Sequence, residues 1–380
     1  MPDVFPGIDV GSSNAGPAPS GLRQRLRDVT EPVPRARMLR GLIGFAVLTA
    51  AGLLTLYWLT PRGRAGEVPA SLSAGFLLLA LLSGGSDLLI DALRYQIFVR
   101  RIRPGTSIWL SVRTELANRF MGAITPSQAG GGPAQVFILW RGGIPVPDTL
   151  SFMLINFLST LVFFLVAGGL SAWMFRNRFP AGGVHLLIEY GFLTFGACLV
   201  LILAVTLRPD WVARGTAAFA HRMKGRPSPA ARMLHRVFAS VTGVLERYRT
   251  ACVRFIREHP LLPLVSFALT VALYLNKFTL GWLLVRGLGI HAGYVPTLAV
   301  QALLTFILYV APSPGGSGIG ELSTGAIMTV LLPTYLLAPF TLAYRLITLY
   351  LPAAGGSVVM LRALAPAAGN AAPPAADAAR

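Results

Sequence analysis

The chain has 380 residues, of which 54% are hydrophobic and only 13% charged. Soluble domains carry about 25% charged residues, so this composition excludes a soluble globular protein and indicates an integral membrane protein. The net charge is +18, from 33 Lys and Arg against 15 Asp and Glu; in a membrane protein such an excess sits in cytoplasmic loops and against anionic headgroups. Nucleic acid is not an expected partner, because no basic segment comes with a nucleic-acid-binding motif. Cys198 and Cys252 suggest neither a disulfide framework nor a metal site. No metal or cofactor is expected.

Residues 1–36, rich in Pro, Gly, Ser and Arg, read as a disordered cytoplasmic tail. Arg35, Arg37 and Arg40 precede the first expected span, Gly41–Thr60. This apolar run starts too late for a cleavable signal peptide. The second span, Leu72–Val99, carries Asp87, Asp91 and Arg94 at spacings of four and three, hence on one helix face. They read as a charge cluster that locks helices together, with substrate contact as the alternative. Arg100, Arg101 and Arg103 mark the cytoplasmic end.

Ser107–Ala123 contains Arg113, Glu115, Asn118 and Arg119, too polar for a lipid-facing span. The stretch Thr125–Pro133 follows, broken by Pro126 and Gly130–Gly132, and then Ala134–Trp140 before Arg141. Residues 107–141 therefore read as a re-entrant helix–loop–helix hairpin. Leu150–Phe175 and Leu186–Leu207 are spans. Residues 208–260 form a basic cytoplasmic loop that is either a surface helix on anionic lipid or a solvated connector. Leu261–Val285 spans again, with Lys277 mid-span as a pair partner or a snorkelling side chain. Tyr294–Val310 leads into a second break, Pro312–Gly320, and Glu321–Leu332 leads out of it. Tyr335–Leu361 is the last span, and 363–380 is a low-complexity tail.

The expected fold is all-α and integral to the membrane, with a polytopic domain at 37–362. It has about six transmembrane helices plus two re-entrant hairpins that enter from opposite faces, arranged as an inverted repeat. Both termini are expected in the cytoplasm, at the cell's inner membrane. A broken backbone at membrane depth survives only where protein or a watery cavity satisfies it. An ionisable group there points to function. Helices that begin after glycine-rich breaks direct unpaired N–H groups and a favourable dipole at an anion. On this reasoning the substrate contacts are Arg119, Ser127, Gly130 and Gly131 at the first break. At the second they are Ser313, Gly315, Gly316, Glu321 and Arg345, with a helix cap or a charge partner for Arg345 as the alternative role of Glu321.

The run Pro312-Ser313-Pro314-Gly315-Gly316-Ser317-Gly318-Ile319-Gly320-Glu321, with Tyr344-Arg345 to Pro352 and Gly355-Gly356 downstream, resembles the flippase-like family. That family includes the membrane domain of lysylphosphatidylglycerol synthases. Asn118, Thr125-Pro126-Ser127 and Gly130-Gly131-Gly132-Pro133 are similar to its upstream motif, and Arg94-Tyr95 sits where the family often has Arg-Trp. Gly132 stands where the family has glutamate, so any step using that carboxylate is lost or passes to Glu115 or Asp87.

The resemblance implies translocation of a phospholipid or lipid-linked substrate, or a membrane module serving lipid modification. The chain is expected not to be an enzyme: it shows no nucleotide site and no Ser/His/Asp set. The competing readings are a scaffold that docks a lipid-modifying partner enzyme through 208–260, and an intramembrane transferase with Glu321 as base.

Overall fold

The computed structural model describes residues 35–59, 73–125, 128–174, 189–200, 257–309 and 316–364. Most of the two expected tails and of the basic loop 208–260 lies outside the described residues, as do Pro126, Ser127, Ser313 and Gly315.

All described elements are helical. They are α1 (Arg35–Leu59), α2 (Ala74–Ile102), α3 (Ile108–Ile124), α4 (Gly131–Arg141), α5 (Val146–Met174), α6 (Glu189–Val200), α7 (Leu261–Gly287), α8 (Tyr294–Tyr309), α9 (Ile319–Met328), α10 (Leu337–Arg345) and α11 (Leu351–Leu364). A π-turn, Leu346–Tyr350, joins α10 to α11. Four stretches are long and apolar enough to cross a bilayer: Ala74–Ile102, Val146–Met174, Leu261–Gly287 and Thr334–Leu364. Arg40–Thr55, Glu189–Val200 and Tyr294–Phe306 are shorter apolar helices. The helix expected over Glu321–Leu332 starts two residues earlier and unwinds into turns after Met328.

Local chemistry explains the helix ends. Ser107 caps α3, its hydroxyl accepting from the Trp109 N–H at 3.2 Å. Pro147 and Asp148 lie in the first turn of α5, where a missing N–H does no harm and a negative charge opposes the dipole. Arg100 and Arg101 occupy the last turn of α2, the favourable place for cations.

The outside is apolar and the inside holds charge. Leu82, Leu170 and Leu264 are each more than 60% exposed, whereas Asp87, Arg94, Glu115, Glu321 and Arg345 are buried. Such a surface is unfavourable in water, because exposed apolar area raises the free energy by about 25 cal/mol per Å². It suits hydrocarbon.

α2 and α7 pack antiparallel along their length. The Ser73 N–H donates to the Gly287 carbonyl (3.2 Å) at one end, and Ser83 and Asn276 exchange hydrogen bonds in the middle. Toward the other end, Asn156 of α5 bridges Arg94 and Ser266. The remaining packing repeats around this pair. α3 packs on α2, α4 and α11; α8 packs on α7, α9 and α5. Exchanging α2–α5 for α7–α11 leaves this pattern unchanged.

α1 crosses both broken stretches and touches the first through Gly41, where a Cβ would overlap the Ile124 carbonyl. It touches the second through Thr49, whose hydroxyl donates to Ser317 at 3.1 Å, and through Gly52, which lies against Gly318 and Glu321. A larger residue at Gly41 or Gly52 would push α1 away from these contacts.

Candidate functional site

At the first break α3 carries Glu115, Asn118 and Arg119 on one face, since residues three and four apart are neighbours on a helix. The Arg119 Nε–H donates to Glu115 Oε1 at 3.0 Å, and the Asn118 amide donates to both Glu115 oxygens. Gln135 of α4 also reaches Glu115 (3.3 Å) and donates to the Tyr95 hydroxyl (2.7 Å). Gly131 allows α4 to fold back this closely, because a Cβ there would overlap the Asn118 amide. The Gly130 N–H donates to the Thr125 hydroxyl at 2.8 Å, so this donor closes the turn. Beside it Gln128 has φ +56°, the one positive-φ residue other than glycine among those described. Such a conformation is strained for a side chain with a Cβ.

At the second break Gly316 (φ +68°) and Gly318 (φ +78°) turn the chain into α9. Glu321, fully buried at the third position of α9, accepts from the Gly318 N–H at 2.5 Å. Its Oε1 lies 3.4 Å from Arg345 Nε, and Arg345 also donates to the Gly316 carbonyl at 3.1 Å. The guanidinium lies across Gly320, where a Cβ would overlap it. Glu321 therefore caps a helix and pairs with Arg345, while Arg345 fastens the break to the last span.

Between the breaks lies a charge network. Arg119 lies 2.9 Å from Asp87, 3.4 Å from Asp91 and 3.0 Å from Glu115. Arg94 holds Asp91 at 2.9 Å and donates to the Asn156 carbonyl and the Thr160 hydroxyl of α5. Lys277 of α7 lies 3.7 Å from Asp87. Opposite charges offset the desolvation of each buried group only while the pairs stay intact. The cluster thus ties α2, α3, α5 and α7 together, as expected for Asp87, Asp91 and Arg94.

A cavity of about 190 Å³ opens on this network. It is lined by Asp91, Glu115, Asn118, Arg119 and Lys277, by Ala123 and Gln128 on either side of the first break, and by Thr305 and Leu308 of α8. Tyr344, Arg345, Thr348 and Leu349 complete it from around the π-turn. π-turns are frequent at functional sites.

Of the expected contacts, Arg119 and Arg345 line the cavity. Glu321 stands behind Arg345, and Gly130, Gly131 and Gly316 shape the backbone around it. Ser127, Ser313 and Gly315 lie outside the described residues. Position 132 is not among the described lining residues; the carboxylates presented there are Asp91 and Glu115. Sequence reasoning gave no role to Gln128 or Thr305, and took in Tyr344 and Thr348 only as part of the downstream motif. The i, i+4 pair of Glu115 and Arg119 was a usable signal for the charged lining.

A UPF0104 membrane protein of Archaeoglobus fulgidus is 24% identical to the chain over 276 residues, which is 72% of this chain and 81% of the relative. The family described as Lysylphosphatidylglycerol synthase TM region matches residues 38–356, which take in α2 to α10. The chain is a multi-pass membrane protein and belongs to that family.

Proposed function

We propose that this protein is a transporter rather than an enzyme, moving an anionic phospholipid or lipid-linked substrate between the leaflets of the cell's inner membrane. One observation carries the reading: a polar, charge-lined cavity lies where two broken helices meet, inside a protein whose outer surface is apolar. Discontinuous helices around a central site are the architecture of many transporters.

The proposed topology has six crossings and two re-entrant hairpins, α3–α4 and α8–α9, entering from opposite faces. Support comes from the antiparallel α2 and α7 and from the exchangeable packing of the two halves. Arg103 donates to the Gly142 carbonyl and Arg141 to that of Ala363, so the basic ends of α2, α4 and α11 cluster at one end. By the positive-inside rule that end is cytoplasmic, with both termini on that side. Along α1 the first break lies at Gly41 and the second at Thr49–Gly52, the order that hairpins from opposite faces produce.

In this reading Arg119 and Arg345 supply fixed positive potential to the cavity, and Glu321 positions Arg345. Residues 208–260 bind anionic lipid at the cytoplasmic surface and are the proposed contact for any partner enzyme.

The test is reconstitution into liposomes with a fluorescent phosphatidylglycerol and a membrane-impermeant quencher. The wild type is expected to make the inner-leaflet pool quenchable, and protein-free liposomes are not. If folded wild-type protein moves none of a panel of anionic and zwitterionic phospholipids, the transport reading falls.

A further inference from the structure

Three cations line the cavity, and they are held differently. Arg119 is bound by three carboxylates on two helices, at 2.9, 3.0 and 3.4 Å. Arg345 is bound by Glu321 and by the Gly316 carbonyl. A guanidinium is a rigid planar fork, so any swing breaks several of these contacts together. Lys277 lies farther from its carboxylate. Its Nζ is 3.7 Å from Asp87 Oδ2 and 5.4 Å from the centre of the Tyr274 ring. Its side chain is 19% exposed, against 10% for Arg119 and 6% for Arg345. An ammonium on a four-carbon stem moves by changing rotamers.

The partner left behind matters as much. Asp87 Oδ2 also lies 2.9 Å from Arg119, so it keeps a cation when Lys277 departs. Moving Arg345 would strand Glu321, which is fully buried, and moving Arg119 would remove the guanidinium shared by three acids. A stranded buried charge is strongly unfavourable. Of these three cations, Lys277 is the one that can leave its carboxylate without leaving it alone.

We propose that Lys277 is the ligand-binding cation of the cavity: it rests on Asp87 when the cavity is empty and transfers to the phosphate oxygens of an entering headgroup. The proposal rests on the transport reading and names the contact that reading lacked. The cavity, at about 190 Å³, is smaller than pockets that enclose a drug-sized ligand, roughly 300–1,000 Å³. It admits a small phosphorylated headgroup while the acyl chains stay in hydrocarbon.

The test uses detergent-purified full-length protein, read on the monodisperse fraction from gel filtration. The probes are dihexanoyl phosphatidic acid, uncharged dihexanoylglycerol and inorganic phosphate, each titrated calorimetrically. The wild type is expected to bind dihexanoyl phosphatidic acid and not dihexanoylglycerol. Lys277→Met should weaken that binding about tenfold or more, the size of one charge-assisted hydrogen bond, and Lys277→Arg should restore most of it. Asp87→Asn should tighten binding, because it removes the competitor for Lys277. A purely structural Lys277–Asp87 pair predicts the opposite sign for Asp87→Asn, and that result overturns the proposal. Equal binding by wild type and Lys277→Met overturns it while leaving the transport reading intact. Binding of inorganic phosphate alone, lost in Lys277→Met, upholds the role of Lys277 and removes the lipid. If the wild type binds no probe, both readings fall.

Discussion

Arg119→Met is expected to prevent the protein from folding in the membrane. The guanidinium is shared by Asp87, Asp91 and Glu115, at 2.9, 3.4 and 3.0 Å. Removing one partner of a buried ion pair costs about 3–5 kcal/mol, a large share of the roughly 5–15 kcal/mol that stabilises a typical domain. The three acids do not suffer equally. Asp91 keeps Arg94 and Asp87 keeps Lys277, whereas Glu115 keeps the Asn118 and Gln135 amides and the side chain of Asp91, none of them a cation. Glu115→Gln added to Arg119→Met should therefore recover much of the folded yield, measured as monodisperse protein after solubilisation. A fully folded Arg119→Met single variant would show that the network does not hold the helices together.

The second large effect is expected at Glu321. Its carboxylate accepts from the Gly318 N–H at 2.5 Å and faces Arg345 at 3.4 Å, with no exposure to solvent. Glu321→Ala removes a helix cap, about 1 kcal/mol. It also takes the carboxylate from the buried Arg345, about 3–5 kcal/mol for breaking a buried ion pair. Glu321→Gln retains an amide oxygen for the Gly318 N–H and loses the charge. The expected order of thermal stability is wild type, then Gln, with Ala far below. An alanine variant that melts with the wild type would contradict both roles of the side chain.

Much of the fold was legible because lipid imposes strong rules on sequence. The long apolar runs became α2, α5, α7 and the 334–364 stretch, and the Pro/Gly-rich breaks separate α3 from α4 and α8 from α9. The spacing of Asp87, Asp91 and Arg94 placed them on one face, where Asp91 pairs with Arg94 and both acids reach Arg119. Partners across helices were less visible. Whether Lys277 reaches Asp87 depends on the register of α7 against α2, which is set by contacts such as Ser83 with Asn276 and Gly287 with Ser73. Neither helix encodes that register alone. The glycines had a second meaning that composition does not reveal. Gly131, Gly320 and Gly52 are small because Asn118, Arg345 and Glu321 lie against them. The π-turn after Arg345 left no sequence signal that was read.

The most direct test of a lipid path through the cavity is to block it without disturbing the charge network. Thr348 lines the cavity, is half-buried, and uses its hydroxyl only on the Tyr344 carbonyl of its own helix. Thr348→Trp places an indole in about 190 Å³ of space. Transbilayer movement of fluorescent phosphatidylglycerol should then be measured in liposomes holding equal amounts of folded wild-type or variant protein. Rapid movement by the wild type and movement near the protein-free rate for Thr348→Trp are expected. Wild-type speed in the blocked variant would contradict a lipid path through the cavity.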